Sequence, residues 1–167
     1  MKRKTVIELL EHYEAVNYYT FRFIDEEITE FDKFYEKYDV NEAYIKDFEI
    51  IIEALNQIGE KGAIDRRFRP EGGRIKALPL ETSKLRLYFF KISECIVIVG
   101  NGGHKKTKAY QEDPLLNEYV SNLREVGRHL INRITHSTKT NIFDCQIFGD
   151  MTFEIDTEID SNEEGEK

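Results

Sequence analysis

Long hydrophobic runs are missing from this chain. No apolar stretch approaches the roughly 20 residues that a bilayer-spanning helix requires, so a helical membrane protein is excluded and a soluble one is expected. Cysteine is scarce: Cys95 and Cys145 are the only two, and they form no Cys-x-x-Cys pair. Neither a disulfide framework nor a zinc ribbon is indicated, and both are read as buried thiols. An export leader is not apparent either. Met1-Lys2-Arg3-Lys4 is basic enough to begin one, but Glu8 and Glu11 interrupt the apolar segment that should follow, so a cytoplasmic location is expected. Of the four histidines, His12, His129 and His136 fall in or beside predicted helices with no partner at metal-ligand spacing. No metal and no other cofactor is therefore expected.

What is present is enough for one globular domain. The 167 residues are 40% hydrophobic and 34% charged, and a chain of that size can bury a core without staples. Its net charge of -8 argues superficially against a nucleic-acid partner, but the charge is unevenly distributed. Between Lys61 and Tyr110 there are 12 Lys and Arg against four Asp and Glu, a cationic centre in an acidic frame. The last stretch, Glu154 to Lys167, has seven acids and few large apolar residues, the composition of a disordered tail. The chain is thus divided into a single domain over residues 1–155 and an acidic tail over 156–167.

Periodicity supplies a coarse order of elements. Val6, Leu9, Leu10, Tyr13 and Val16 recur at helical spacing behind Thr5, predicting a first helix. Tyr18 to Ile24 reads as a strand. A helix on Ile28, Phe31, Phe34, Tyr35 and Tyr38 follows, then a second from Glu42 to Gln57 that stops near Gly59. Residues 61–73 read as a loop, followed by a short strand from Arg74 to Leu78. Leu85 to Ile92 and Cys95 to Val99 should pair as a hairpin through Ser93 and Glu94, the second an unbroken run suited to a central strand covered on both faces. Leu116 to Ile134 gives a long amphipathic helix, and Ile142 to Ile155 a strand pair. The fold class is α+β, an antiparallel sheet packed on one side by helices.

Three segments sharpen this order: Lys84-Leu85-Arg86-Leu87-Tyr88-Phe89-Phe90-Lys91, Cys95-Ile96-Val97-Ile98-Val99, and His104-Lys105-Lys106-Thr107. From Tyr18 to Tyr110 the chain resembles the RelE/HigB-like toxins of the RelE/ParE superfamily, which share an Arg-hydrophobic-Tyr-aromatic strand, a hydrophobic strand and a Lys-Lys-Thr continuation. The resemblance implies a RelE-like sheet packed by an N-terminal helical hairpin and a C-terminal helix. It also implies a metal-independent endoribonuclease that cuts mRNA on the ribosome, with an antitoxin protein as partner.

Such chemistry explains the residue types. Attack of a ribose 2'-hydroxyl on the adjacent phosphate needs a base, donors for the added negative charge, and an acid for the leaving oxygen. By the resemblance, Arg86 stabilises the phosphate, with Lys76 and Arg74 on the preceding strand as the nearest counterparts of the family's basic-strand residues. Lys105 and Lys106 match the Lys-Lys pair. His104 and Tyr110 are candidates for proton transfer or stacking, Tyr88 for stacking on a base, and Lys108 for phosphate contact. A lysine serves as base only when its pKa falls, and crowding among like charges pushes it that way.

Plainer roles compete at each position. Arg86 could cover the sheet with its stem, Tyr88 could be a packed aromatic, and Lys105, Lys106 and Lys108 could guard a sheet edge. Arg66, Arg67 and Arg69 read as a charged surface loop. A protein-interaction module that keeps the fold without cleavage is the alternative function. Gly100 to Thr107 looks like a P-loop, but Lys105 stands where that motif requires glycine. Its glycines are expected to turn the chain out of the central strand.

Overall fold

A computed structural model of the chain describes residues 1–80 and 84–157. The expected disordered tail therefore lies outside the described residues, apart from Asp156 and Thr157. Within them the protein is a mixed α+β fold built on a largely antiparallel seven-stranded sheet with three α-helices.

The sheet is assembled from β1 (Lys2–His12), β2 (Asn17–Phe23), β3 (Arg69–Pro70), β4 (Ile75–Ala77), β5 (Leu85–Lys91), β6 (Ile96–His104) and, after a separate ribbon, β9 (Thr152–Asp156). Their spatial order is β3-β4-β5-β6-β2-β1-β9. Every neighbouring pair is antiparallel except β2 and β6, which run parallel with Asn17 opposite Ile96. The ribbon is a hairpin of β7 (Thr140–Phe143) and β8 (Gln146–Gly149). Three short strands thus occupy the region where one strand pair is expected.

Three further expectations are corrected. The first predicted helix is β1, hydrogen-bonded to β2 on one side and β9 on the other. Thr5, Val6 and Ile7 are β-branched, Thr5 and Ile7 are buried between exposed or half-buried neighbours, and Leu9, counted in the helical pattern, is 56% exposed. Alternation and two strand partners outweigh the weak 3.6-residue period. Next, the glycines after Val99 do not end β6, which continues to His104. A Cβ on Gly102 would lie 1.9 Å from the Arg86 carbonyl oxygen, so this glycine permits close approach of two backbones rather than a turn. Finally, Cys95 and Cys145 are joined in a disulfide, their Cα atoms 5.6 Å apart. Fifty residues separate them in sequence, and only the docking of the ribbon's tip beside the start of β6 brings them into bonding range.

Helices cover both faces of the sheet, not one. Thr29 caps α1 (Glu30–Tyr38), its hydroxyl accepting the Asp32 amide at 3.1 Å; α2 (Ile45–Lys61) ends at Gly62, whose φ is +110°. These two pack with Tyr18, Leu85, Leu87, Phe89, Val97 and Val99. On the other face α3 (Pro114–His136), capped by Asp113 with Pro114 in its first turn, packs Leu116, Val120, Leu123, Val126 and Leu130 against Tyr19, Phe21, Phe90, Ile96 and Ile98. The alternating membership of β6 in two cores explains its unbroken apolar run. Among the described residues no helix is long and apolar enough to cross a membrane.

Candidate functional site

Because successive residues of a strand face opposite sides, β5 sends Leu85, Leu87 and Phe89 toward the helical hairpin and Arg86, Tyr88 and Phe90 toward α3. Arg86 lies opposite Gly103 and Tyr88 opposite Ala77. Beyond Ala77, across β4, is Arg69. The chain leaving β6 carries Lys105, whose amide donates to the Lys84 carbonyl at 2.8 Å. Arg69, Glu71, Arg86 and Lys105 thereby converge at one end of the β3-to-β6 half of the sheet, within electrostatic reach of one another.

Among the described residues, Glu71 is the carboxylate that acts on all three cations of this cluster. The Arg69 Nε lies 3.4 Å from Glu71 Oε1. The Arg86 residue is only 7% exposed, and its Nη1 donates to the carbonyls of Leu85 at 3.0 Å and Leu80 at 3.3 Å. Burial, and then the charge of Arg69, push its guanidinium pKa below the ordinary value. At Lys105, burial followed by repulsion from Arg69 and Arg86 lowers the ammonium pKa, with Glu71 pulling in the opposite direction. A half-buried lysine among arginines releases its proton more readily than a solvated one, which is the property a general base requires.

An aromatic wall closes the cluster toward α3. Tyr88 is buried, and burial followed by the Glu71 charge raises its phenol pKa. Its ring meets Tyr110 edge to face at 5.7 Å. The Tyr110 hydroxyl accepts from Arg124 Nη2 at 2.9 Å, so a helix-borne cation fixes the phenol and places its proton. Both tyrosines are packed and hydrogen-bonded or stacked within the protein, not offered to solvent as stacking platforms.

The remaining sequence-predicted residues lie elsewhere. Lys76 is on the opposite face of the sheet, where Asp65 stands 3.9 Å from its ammonium and 2.7 Å from that of Lys91. Lys91, then Lys76, hold the Asp65 carboxyl below its usual pKa. Arg74 sits at the other end of β5, donating to the carbonyls of Lys91 and Ile92 at 3.1 and 3.0 Å. His104 faces the helical hairpin, with Nδ1 3.0 Å from the Tyr44 hydroxyl. Lys106 and Lys108 are exposed. Arg86, Tyr88, Lys105 and Tyr110 are therefore brought together; Lys76, Arg74, His104, Lys106 and Lys108 are not part of that group.

Arg69, Glu71 and Arg124 escaped sequence reasoning. Arg69 sits beside Arg66 and Arg67 in a charged stretch that reads as surface loop, yet it belongs to a two-residue strand too short for any periodicity. Arg124 is 14 residues from Tyr110 in sequence and reaches its hydroxyl only once α3 has docked. Among the described residues no group of three or more His, Cys, Asp or Glu is placed to hold a metal ion. No protein-family model matches the chain, and no curated protein or solved structure matches it.

Proposed function

We propose that the protein is a RelE/HigB-like mRNA endoribonuclease of the type II toxin–antitoxin kind, with Lys105 as the base that takes the 2'-hydroxyl proton. The observation that carries this reading is the convergence of Arg69, Arg86 and Lys105 near the Glu71 carboxylate, with the Lys105 pKa lowered by burial and then by its cationic neighbours. The partly exposed Arg69 grips the scissile phosphate, and the buried Arg86 holds the Leu80 and Leu85 carbonyls while its positive charge biases Lys105 toward the neutral form. Tyr110, its hydroxyl set by Arg124, is the candidate proton donor to the leaving oxygen. Further support comes from element order: β2, α1 and α2 followed by the short β3 and then β4, β5 and β6 is consistent with a strand, a helical hairpin and a run of strands. The partners in this reading are mRNA, the ribosome and an antitoxin.

The test is translation in a reconstituted cell-free system, with messenger ends mapped by primer extension. Wild type should generate new ends, and Lys105→Gln should reduce their rate of appearance by about 10²–10⁴-fold, the usual contribution of a general base. Cleavage by the wild type should rise with pH, with an inflection below the ~10.4 of an ordinary lysine, because only the neutral amine accepts a proton.

A second reading is favoured by the burial of Arg86, Tyr88 and Tyr110. In it the cluster is a structural buttress, and the protein is a non-catalytic interaction module. Intact messenger with wild-type protein at every pH would move the assignment there.

A further inference from the structure

At the opposite end of β6 from Lys105, a cavity of about 190 Å³ opens beside the disulfide and is lined by His12, Glu14, Asn17, Asp144, Cys145 and Gln146, among others. Cys145 lines it; Cys95 does not. The two halves of the disulfide therefore stand differently toward the cavity.

Their hydrogen-bonding environments differ as well. Ser93 Oγ accepts the Cys95 amide at 3.2 Å and lies 3.5 Å from Cys95 Sγ. Since that oxygen already serves as acceptor to an amide, its own proton is available to the sulfur. On the other side, Asn17 Nδ2 donates to the Cys145 carbonyl at 2.7 Å. This fixes the orientation of the amide, leaving Asn17 Oδ1 to face His12 Nδ1. His12 then carries its proton on Nδ1, and Nε2 is left as the basic nitrogen. The two-residue tip of the ribbon adds strain: Asp144 and Cys145 both take left-handed backbone conformations, with φ of +51° and +61°, which residues other than glycine adopt at a cost.

We propose that Cys95–Cys145 is a thiol-exchange site, with Cys145 the sulfur modified by a small monothiol that enters the cavity. The incoming thiol gives its proton to His12 Nε2, and its thiolate attacks Cys145 Sγ. A bond forms between these two sulfurs while the Sγ–Sγ bond breaks. The electron pair leaves on Cys95 Sγ, where the Ser93 hydroxyl donates to the new thiolate. The product is a mixed disulfide on Cys145 and a free Cys95; a second monothiol completes reduction and leaves as the thiol's own disulfide. Modification frees the tip of the ribbon, and with it Phe143, already 72% exposed, from its covalent anchor to the sheet. This inference stands independently of the proposed ribonuclease activity.

The experiment exposes full-length oxidised protein to glutathione, quenches with acid, alkylates the remaining thiols and maps both cysteines by mass spectrometry. Glutathione should be found on Cys145 and the alkyl group on Cys95. Ser93→Ala should slow the exchange by about fivefold, equivalent to the ~1 kcal/mol of a typical hydrogen bond. In a second arm, Cys95→Ala should take up glutathione from its oxidised form faster than Cys145→Ala. Glutathione on Cys95, an even division between the two, no adduct, or a pair that does not close when the reduced protein meets oxidised glutathione would overturn the proposal. An unchanged rate in Ser93→Ala would overturn the role given to Ser93.

Discussion

The two ends of β6 are held in opposite ways. At its start the strand is fixed covalently, through Cys95, to the tip of the β7–β8 ribbon. At its far end the chain runs into Lys105, beside Arg69, Arg86 and the Glu71 carboxylate, where like charges crowd with no covalent cross-link among the described residues. The difference locates tension and tolerance. A cluster that depresses the pKa of its own cations stores unfavourable charge interaction, as sites for proton transfer do, and the apolar body of β6, shared by two cores, gives it a rigid mount.

The largest disturbance should come from breaking that mount. Gly102→Val would push a side chain into the Arg86 carbonyl, already 1.9 Å from a Cβ there; separation of β5 from β6 and a loss of ~3 kcal/mol or more are expected, read by chemical denaturation. Removing the covalent end with Cys95→Ser and Cys145→Ser together should cost about 2–4 kcal/mol in oxidising buffer. The same pair of substitutions should change nothing once the wild type is reduced. Arg86→Met, which removes the Arg86 donor from the Leu80 and Leu85 carbonyls, should cost about 1–3 kcal/mol. Its sign matters beyond its size: relief of repulsion should raise the Lys105 pKa toward that of a free lysine, as followed by NMR titration.

Glu71→Gln makes a finer distinction between the two ends. Glu71 opposes the depression of Lys105, so its neutralisation should lower that pKa further and leave the ribbon's amide exchange unaltered. Lowered in the folded state, the Lys105 pKa favours the neutral amine, so the variant's stability relative to wild type should improve as pH rises through the alkaline range. The smallest effect is expected from Lys76→Ala, whose partner Asp65 is largely exposed and also held by Lys91; no measurable shift in Tm should follow.

Much of the β2-to-α3 body was legible in sequence because its elements carry one unambiguous period. The Phe31, Phe34, Tyr38 and Phe48, Ile51, Leu55, Ile58 series gave both hairpin helices, and the apolar run from Ile96 to Val99 announced a strand covered on both faces. What escaped depends on contacts between distant segments. Thr5 to Val16 fits two periods, and only pairing with Phe153 and its neighbours decides between them. Cys95 and Cys145 become partners only once the ribbon is docked. Of the residues singled out in the sequence, Arg86, Tyr88, Lys105 and Tyr110 come together in the structure. Lys76 does not join them because it occupies the alternate face: it pairs with Phe89, whose side chain joins the helical-hairpin core. Register, not residue type, separates it from Arg86.

The placement of β1 between β2 and β9 also governs the timing of assembly. Lys2 pairs with Asp156, and the Thr5 hydroxyl donates to the Phe153 carbonyl, so these ladder contacts span nearly the whole described chain. During synthesis β1 must keep one hydrogen-bonding edge vacant until β9 has left the ribosome, while hairpins such as β5–β6 close locally and early. A vacant edge invites strangers. The charged Lys2, Arg3, Lys4 and Glu8 along β1 are the chain's own deterrent, in force throughout the interval before β9 arrives.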